Sequence, residues 1–265
     1  MNHLTRELAP ISAAAWKQID EEARERLTPH LAARRVVDVS GPHGWDHSAT
    51  NLGRVKRVDA AGVGRAVVRQ RQVLPLVEVR VPFTIAREEL DSAERGADNL
   101  AFDDLDRAAH DLAVLENKAV FHGWDEFEFA GLAAASATAL GSEAAGYPHA
   151  VAKAVDVLRE AGIKGPYALA IGPLGHTRIV ESTEGGGLML LDHLRRILGG
   201  GKVLRAPGVE GAVVASLDGG HFVLELGQDI AVGYSHHDAD AVTLYLEESF
   251  NFRVLEPDAA TALTD

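Results

Sequence analysis

The sequence predicts an α+β fold, with helices and strands segregated along the chain rather than strictly alternating. Apolar residues recur at three- and four-residue steps over 12–27 and again over 103–121, which is the helical period. Strand-like runs crowd the C-terminal third, the longest over 241–254. Earlier in the chain, two strand-like runs at 52–58 and 64–73 are joined by Asp59-Ala60-Ala61-Gly62, the pattern of one long hairpin.

Ser12 is the expected N-cap of the first helix, whose Trp16, Ile19, Ala23 and Leu27 share a face. Thr28-Pro29 predicts a short second helix, with Thr28 as cap and Pro29 at its first position, presenting Leu31. A polar loop with Gly41, Pro42 and Gly44 follows over 40–51, and residues 76–85 form a strand after the hairpin. The helix over 103–121 opens on Asp103, Asp104 and Asp106, acids favoured by the positive end of the helix dipole. Its Leu105, Leu112, Leu115 and Ala119 face the core. Glu126 and Glu128 alternate with Phe127 and Phe129, as in a strand with one wet face. An alanine-rich loop over 133–145 leads to a helix over 148–161 closed by Gly162. A buried strand at 167–171, a helix at 175–181, the run Gly185-Gly186-Gly187 and a helix at 188–198 come next. Strands at 203–205, 212–217, 222–226, 230–234 and 241–254 complete the pattern. In the last, Val242, Leu244 and Leu246 alternate with polar residues, predicting a half-solvated antiparallel strand. There is no internal repeat and no flexible linker.

At 265 residues the chain suits one large domain or two interleaved ones. A net charge of −13 argues against general affinity for nucleic acid or anionic membranes. The absence of cysteine removes disulfides, thiolate metal sites and cysteine nucleophiles together, and suits a reducing compartment. The first ten residues carry Arg6 and Glu7 and no apolar run, so no secretory signal is expected. No stretch reaches the roughly 18–20 apolar residues of a membrane helix, which makes the cytoplasm the expected location. The hairpin has the opposite character to the whole: Arg54, Lys56, Arg57, Arg65, Arg69 and Arg71 are opposed only by Asp59. Such a ribbon suits an acidic surface on a neighbouring copy better than its own core.

Catalytic patterns are missing. No serine sits in a Gly-x-Ser-x-Gly frame. Gly199-Gly200-Gly201-Lys202 fails as a phosphate loop, because Val203 replaces the required Ser or Thr and Arg196 occupies the first glycine position. Gly62-x-Gly64 lacks the third glycine of a dinucleotide fingerprint and opens no helix. His43, Asp46 and His47 crowd one loop and His236, His237, Asp238 and Asp240 another. Neither group has the i, i+4 spacing of a helical metal site, so no metal is expected. Glu126 and Glu128 suit a wet strand face better than an acid–base pair. No catalytic residue, cofactor or enzyme activity is expected.

Short motifs then recur in order along the whole chain. Leu8-Ala9-Pro10, Trp16, Arg35-Val36-Val37-Asp38-Val39 and Gly41-Pro42-x-Gly44-Trp45 open the series. Pro82-Phe83-Thr84, Glu89-Leu90-Asp91, Glu94-Arg95-Gly96 and Gly165-Pro166-Tyr167 continue it. Leu226-Gly227-Gln228-Asp229-Ile230, Gly233-Tyr234 and Leu244-Tyr245-Leu246-Glu247-Glu248 close it. Together they resemble the encapsulins, shell proteins of bacterial and archaeal nanocompartments once described as linocin-type bacteriocins. The resemblance implies the tailed-phage major capsid protein fold and a closed icosahedral shell, with the smallest class favoured by the short N-terminal arm. It implies an N-terminal helical arm and start of a peripheral domain at 1–44, an extended loop at 45–78, and peripheral domain with its spine helix at 79–130. An axial domain at 131–217 and peripheral C-terminal strands at 218–265 complete the division.

Members of that family enclose a cargo enzyme, such as a dye-decolourising peroxidase or a ferritin-like protein, through a C-terminal targeting peptide. The resemblance places that peptide's groove at Leu27, Leu31, Arg34, Val37 and Asp38, with Asp229 and Ile230 opposite. It also makes Ser182, Thr183, Glu184, Gly185, Gly186 and Gly187 a pore loop at the fivefold axis. Relatives commonly have Gly-Tyr-Pro there, and the glycines imply a more mobile loop. Repeated around an axis, Glu184 favours cations. Some relatives stack a flavin on a tryptophan just before the Glu-Leu-Asp motif; Glu88 stands there here, so no flavin is expected. A DNA-packaging phage capsid shares the fold, but the acidic balance and short N-terminus argue against it, as the lack of signal and catalytic residues does against a secreted bacteriocin or protease.

Overall fold

The computed structural model describes residues 3–58, 67–134, 137–141, 143–184 and 187–264. The turn of the basic hairpin with Arg65, and Gly185 and Gly186 of the expected pore loop, lie outside these residues. The elements in chain order are α1 (Ala13–Leu27), β1 (Asp38–Ser40), β2 (Ala49–Val58), β3 (Val68–Pro75), β4 (Val77–Ala86), α2 (Arg87–Glu94) and α3 (Asp103–Phe121). They continue with β5 (Gly123–Trp124), β6 (Phe129–Ala130), β7 (Ala137–Ala139), α4 (Tyr147–Glu160), β8 (Tyr167–Ile171), α5 (Pro173–Glu181) and α6 (Leu190–Ile197). The last are β9 (Lys202–Arg205), β10 (Ala212–Ser216), β11 (Phe222–Leu226), β12 (Ala231–His237), β13 (Ala241–Val254) and β14 (Ala260–Thr264).

Two sheets organise the chain. In the first, the 14-residue β13 runs antiparallel to β4 along one edge and to β12 and then β11 along the other, with β1 parallel beyond β11. α3 packs on it, and α1 packs against α3, adding buried Ala15, Ile19, Ala23 and Leu27 to the same core. Ser12 caps α1 as expected, accepting from the Ala15 N–H at 3.2 Å. The second sheet has the order β7-β14-β10-β8-β9. Strand alternation divides its faces: Tyr167, Leu169 and Ile171 of β8 join α4 and α6 in a second core, while Ala168 and Ala170 join the first. Both faces are therefore covered, and β8 and β10 read as unbroken apolar runs.

Several expectations change. Thr28-Pro29 does not start a helix. Thr28 remains in helical conformation, and both its N–H and its hydroxyl serve the Arg24 carbonyl, so it ends α1 instead of capping a new helix; a 3₁₀ turn at Ala33–Arg35 follows. β13 is not half-solvated: residues on both of its faces are buried, Glu247, Glu248, Ser249 and Asn251 along with the apolar ones. The segment at Glu126 is a 3₁₀ turn (Asp125–Phe127) with Glu128 left-handed, not a strand. β14 was not legible as a strand, and it departs from the expected grouping of residues 218–265: it pairs with β10 and β7 in the second sheet.

The β2–β3 hairpin leaves both sheets. Its register shifts between Asn51 and Val55, and among its described residues only Thr50 and Leu74 are buried. Its base is pinned by Asn251, whose amide donates to the Thr50 hydroxyl at 2.8 Å and the Leu74 carbonyl at 3.0 Å. A second buried amide, Asn117 of α3, accepts from the Ala33 N–H and donates to the carbonyls of His30 and Pro207, all within 2.9 Å. It thus joins the segment after α1 to the segment after β9. Asn117→Ala strands one buried donor and two acceptors and is expected to cost about 2–3 kcal/mol. That cost reads as a lower thermal unfolding midpoint; an unchanged midpoint would mean these groups find other partners.

Candidate docking groove and its buried ion cluster

A groove of about 460 Å³ opens between α1 with the turn that follows it and the start of β12. Leu27, Leu31, Arg34, Asp229 and Ile230 line it, together with Arg24, Val232 and Leu246. Five of the seven residues expected at the peptide groove therefore meet in space. Val37 and Asp38 do not join them. Val37 is buried in the first core, and Asp38 stands in β1, where its Oδ2 accepts from the Gly220 N–H at 2.6 Å.

The chemistry of the groove is set from beneath by residues that motif comparison missed. The Arg34 guanidinium donates to Glu116 at 2.7 Å, Asp229 at 2.7 Å and Glu248 at 2.9 Å. Glu116 comes from α3 and Glu248 from β13, and both side chains are 0% exposed; Arg34 is 17% exposed and Asp229 46%. One guanidinium thus faces three carboxyl groups, two of them out of water. Burial raises both glutamates above the ordinary range, Glu248 well above it, and the neighbouring Glu116 carboxyl pushes Glu248 in the same direction. Burial on its own would lower Arg34, but Glu116 and Glu248 raise it, so it stays charged. A proton held between the two glutamates brings the cluster closer to neutrality. The sequence did hold a signal: Glu116 lies four residues after Leu112, and Glu248 shares a strand face with Leu244 and Leu246, so each acid falls at a core position.

The other expected sites are scattered. Arg54, Lys56, Arg57, Arg69 and Arg71 lie exposed on the hairpin, and none forms an ion pair among the described residues. Ser182, Thr183, Glu184 and Gly187 belong to a tight loop between α5 and α6, closed by a bridge between Thr183 and Met189 and by the Glu184 N–H donating to the Leu188 carbonyl. Glu184 is not a free carboxylate: its Oε2 lies 2.6 Å from His193 Nδ1 on α6. The rings of His43 and His47 lie tilted to one another with centroids 4.9 Å apart, but His47 turns to Glu225 of β11 at 2.8 Å. No group of three or more possible metal ligands occurs among the described residues. Among them, too, no helix is long and apolar enough to cross a membrane.

Solved structures share this architecture. A virus-like particle subunit from Pyrococcus furiosus matches with a TM-score of 0.63 at 17% identity, covering 94% of this chain and 98% of its own. The capsid of the myovirus XM1 matches at 0.52 and 12% identity, over 86% of this chain and 89% of its own. The fold is that of tailed-phage capsid subunits. The family described as "encapsulating protein for peroxidase" matches residues 1–251, and the chain belongs to this family of encapsulin shell proteins. A type 1 encapsulin shell protein of Rhodospirillum rubrum is 45% identical over 99% of this chain and 96% of its own length. Those of Brevibacterium linens and Mycobacterium tuberculosis are 39% and 38% identical over the full length of both chains. The chain is accordingly a structural subunit of a capsid-like shell and not an enzyme.

The ion cluster gives the fold a pH dependence of definite sign. A carboxyl that holds its proton more tightly when folded favours folding most below the ordinary glutamate value of 4.5, and progressively less as pH rises through its raised value. The unfolding midpoint of the wild-type protein should therefore carry a component that falls as pH rises from 4.5 through the raised value of Glu248, and Glu248→Gln should flatten that fall. An identical slope in the variant would exclude Glu248 as its source. Arg34→Met leaves the carboxyl groups without their cation and is expected to cost on the order of 3–5 kcal/mol at neutral pH. The loss should shrink in acid, where denaturation curves at pH 5 and pH 8 measure the difference.

Proposed function

We propose that the chain packs copies of itself into a closed icosahedral compartment of the smallest class, in the cytoplasm, which encloses a cargo enzyme held by its C-terminal tail. The observation that carries this reading is the groove: a solvent-open channel with an apolar floor (Leu27, Leu31, Ile230) and an ionic edge (Arg34, Asp229), in a family of encapsulating proteins. An extended tail would lay alternate apolar side chains on that floor while the charged edge sets its register. A dye-decolourising peroxidase or a ferritin-like protein is the expected kind of cargo.

The hairpin supports the assembly part. An isolated two-stranded ribbon is marginal in water, and this one exposes Val55, Val58, Val68 and Val73 beside its basic residues. A neighbouring acidic subunit would cover the valines and meet the charge, as expected of an extended loop. The first sheet with α1 and α3 then corresponds to the peripheral domain and the second sheet with α4–α6 to the axial domain. On this reading the Ser182–Gly187 loop, held by the Glu184–His193 contact, lines the pore for small substrates. Packaging of DNA is the alternative; the net charge of −13 opposes it.

Native size-exclusion chromatography should give a megadalton particle without nucleic-acid absorbance, and elution as a monomer would overturn the reading. Ile230→Asp puts an unpaired carboxylate into the apolar floor; it should leave particles intact and cut capture of a tailed reporter by roughly tenfold or more. Unchanged capture would place docking elsewhere. Glu184→Gln should slow entry of cations into loaded shells, and an unchanged uptake rate would remove the carboxylate from the pore.

A further inference from the structure

Five charged side chains line the groove: Arg6, Asp20, Arg24, Arg34 and Asp229. Most of their bonding capacity is spent within the chain. Arg6 stacks on Trp16 at 3.9 Å and pairs with Asp20 at 2.8 Å. Arg34 is held by three carboxyl groups. Among the described residues Asp229 uses only its Oδ1, accepting from Arg34 Nη1 and from the Ile230 N–H, each within 2.8 Å. Arg24 differs from the rest. It is exposed, and no ion pair reaches it among the described residues. The acids three and four positions before it on α1 are already engaged, Glu21 by Lys17 and Asp20 by Arg6.

Arg24 also lies where two clefts meet, a place it shares with Arg6 and Asp20. It borders the groove on one side and, on the other, the adjoining cleft over Trp16. It stands three residues before Leu27, close to one helical turn of about 5.4 Å. Asp229 and Arg34 mark the other end of the apolar floor, past Leu31. The unoccupied valences of the groove are thus a guanidinium at one end and one carboxylate oxygen at the other.

We infer that Arg24 receives a carboxylate of the docked tail, so that the tail runs from Asp229 across Leu31 and Leu27 and ends at Arg24. Every C-terminal tail carries one carboxylate, and an acidic side chain at the same place supplies the same chemistry. A guanidinium takes either in a bidentate geometry that an amide or hydroxyl cannot match. A basic side chain of the tail fits the free Oδ2 of Asp229 in this direction and not in the reverse. The inference rests on the docking reading and adds direction and an anchor to it.

The test uses the full-length protein co-expressed with a fluorescent reporter whose tail has leucines at alternate positions and one lysine. Reporter per particle is measured after size exclusion, with the reporter limiting. In one version the tail ends the chain; in a second, five Gly-Ser residues follow it and move the terminal carboxylate away. Wild-type shells should load roughly tenfold less of the extended version, a loss on the scale of one charge-assisted hydrogen bond. A third version, extended but with aspartate in the tail's last place, recovers loading if a side-chain carboxylate serves equally and stays low if only the terminus does. Arg24→Ala should load the free-ended and extended tails alike, and Arg24→Glu should favour a tail ending in lysine amid the same leucines. Because Arg24 is exposed, both variants should assemble normally, which the same column reports. Equal loading of the two tails by wild type, or a preference that survives in Arg24→Ala, overturns the inference while docking stands. No loading of any tail overturns docking as well.

Discussion

The Arg34 guanidinium holds together four segments that lie far apart in the chain. It belongs to the turn after α1 and binds α3 through Glu116, β13 through Glu248, and the approach to β12 through Asp229. Its neighbour in that turn, Ala33, is held by Asn117, the residue next to Glu116 on α3. One stretch of helix therefore fixes the position of the groove wall twice, once by an amide and once by an ion pair. A buried arrangement with more acids than cations is costly unless it holds a proton, which ties the geometry of this wall to pH.

The same sheet that carries this cluster supports the outward-reaching hairpin. Glu248 and Asn251 lie three residues apart on β13: the first is bonded to Arg34 beside the groove, the second to Thr50 and Leu74 at the hairpin base. β13 is buried on both faces and bonds to both features. It is the rigid element between a surface suited to cargo and a ribbon suited to a neighbouring subunit.

The groove was only partly legible in the sequence. Leu27, Leu31, Arg34, Asp229 and Ile230 were named from motif resemblance, and the fold brings them together. Val37 and Asp38 were carried along by the same motif, but strand pairing to β11 takes Asp38 away from the groove, while Val37 is buried in the core. Glu116 and Glu248 were passed over although they sit at core-facing positions, because an acid in an apolar pattern gives no hint of which cation, from how far along the chain, will reach it. Glu184 read as a free pore carboxylate for a related reason: nothing in the loop itself points to His193 on the following helix.

Periodicity and capping by themselves determined α1, α3, β8, β11 and β13 to within a residue or so, along with the hairpin and the α+β class. These features depend on neighbours in sequence: apolar spacing, a capping hydroxyl at Ser12, acids at the start of α3. Only the tertiary structure decided that β13 is covered on both faces, that β14 crosses to the second sheet, and that Thr28 ends a helix instead of starting one. It also decided that a single arginine would answer three carboxyl groups. Each of these outcomes depends on which distant surface covers a segment, and burial, unlike helical or strand period, is a property that no local stretch of sequence carries.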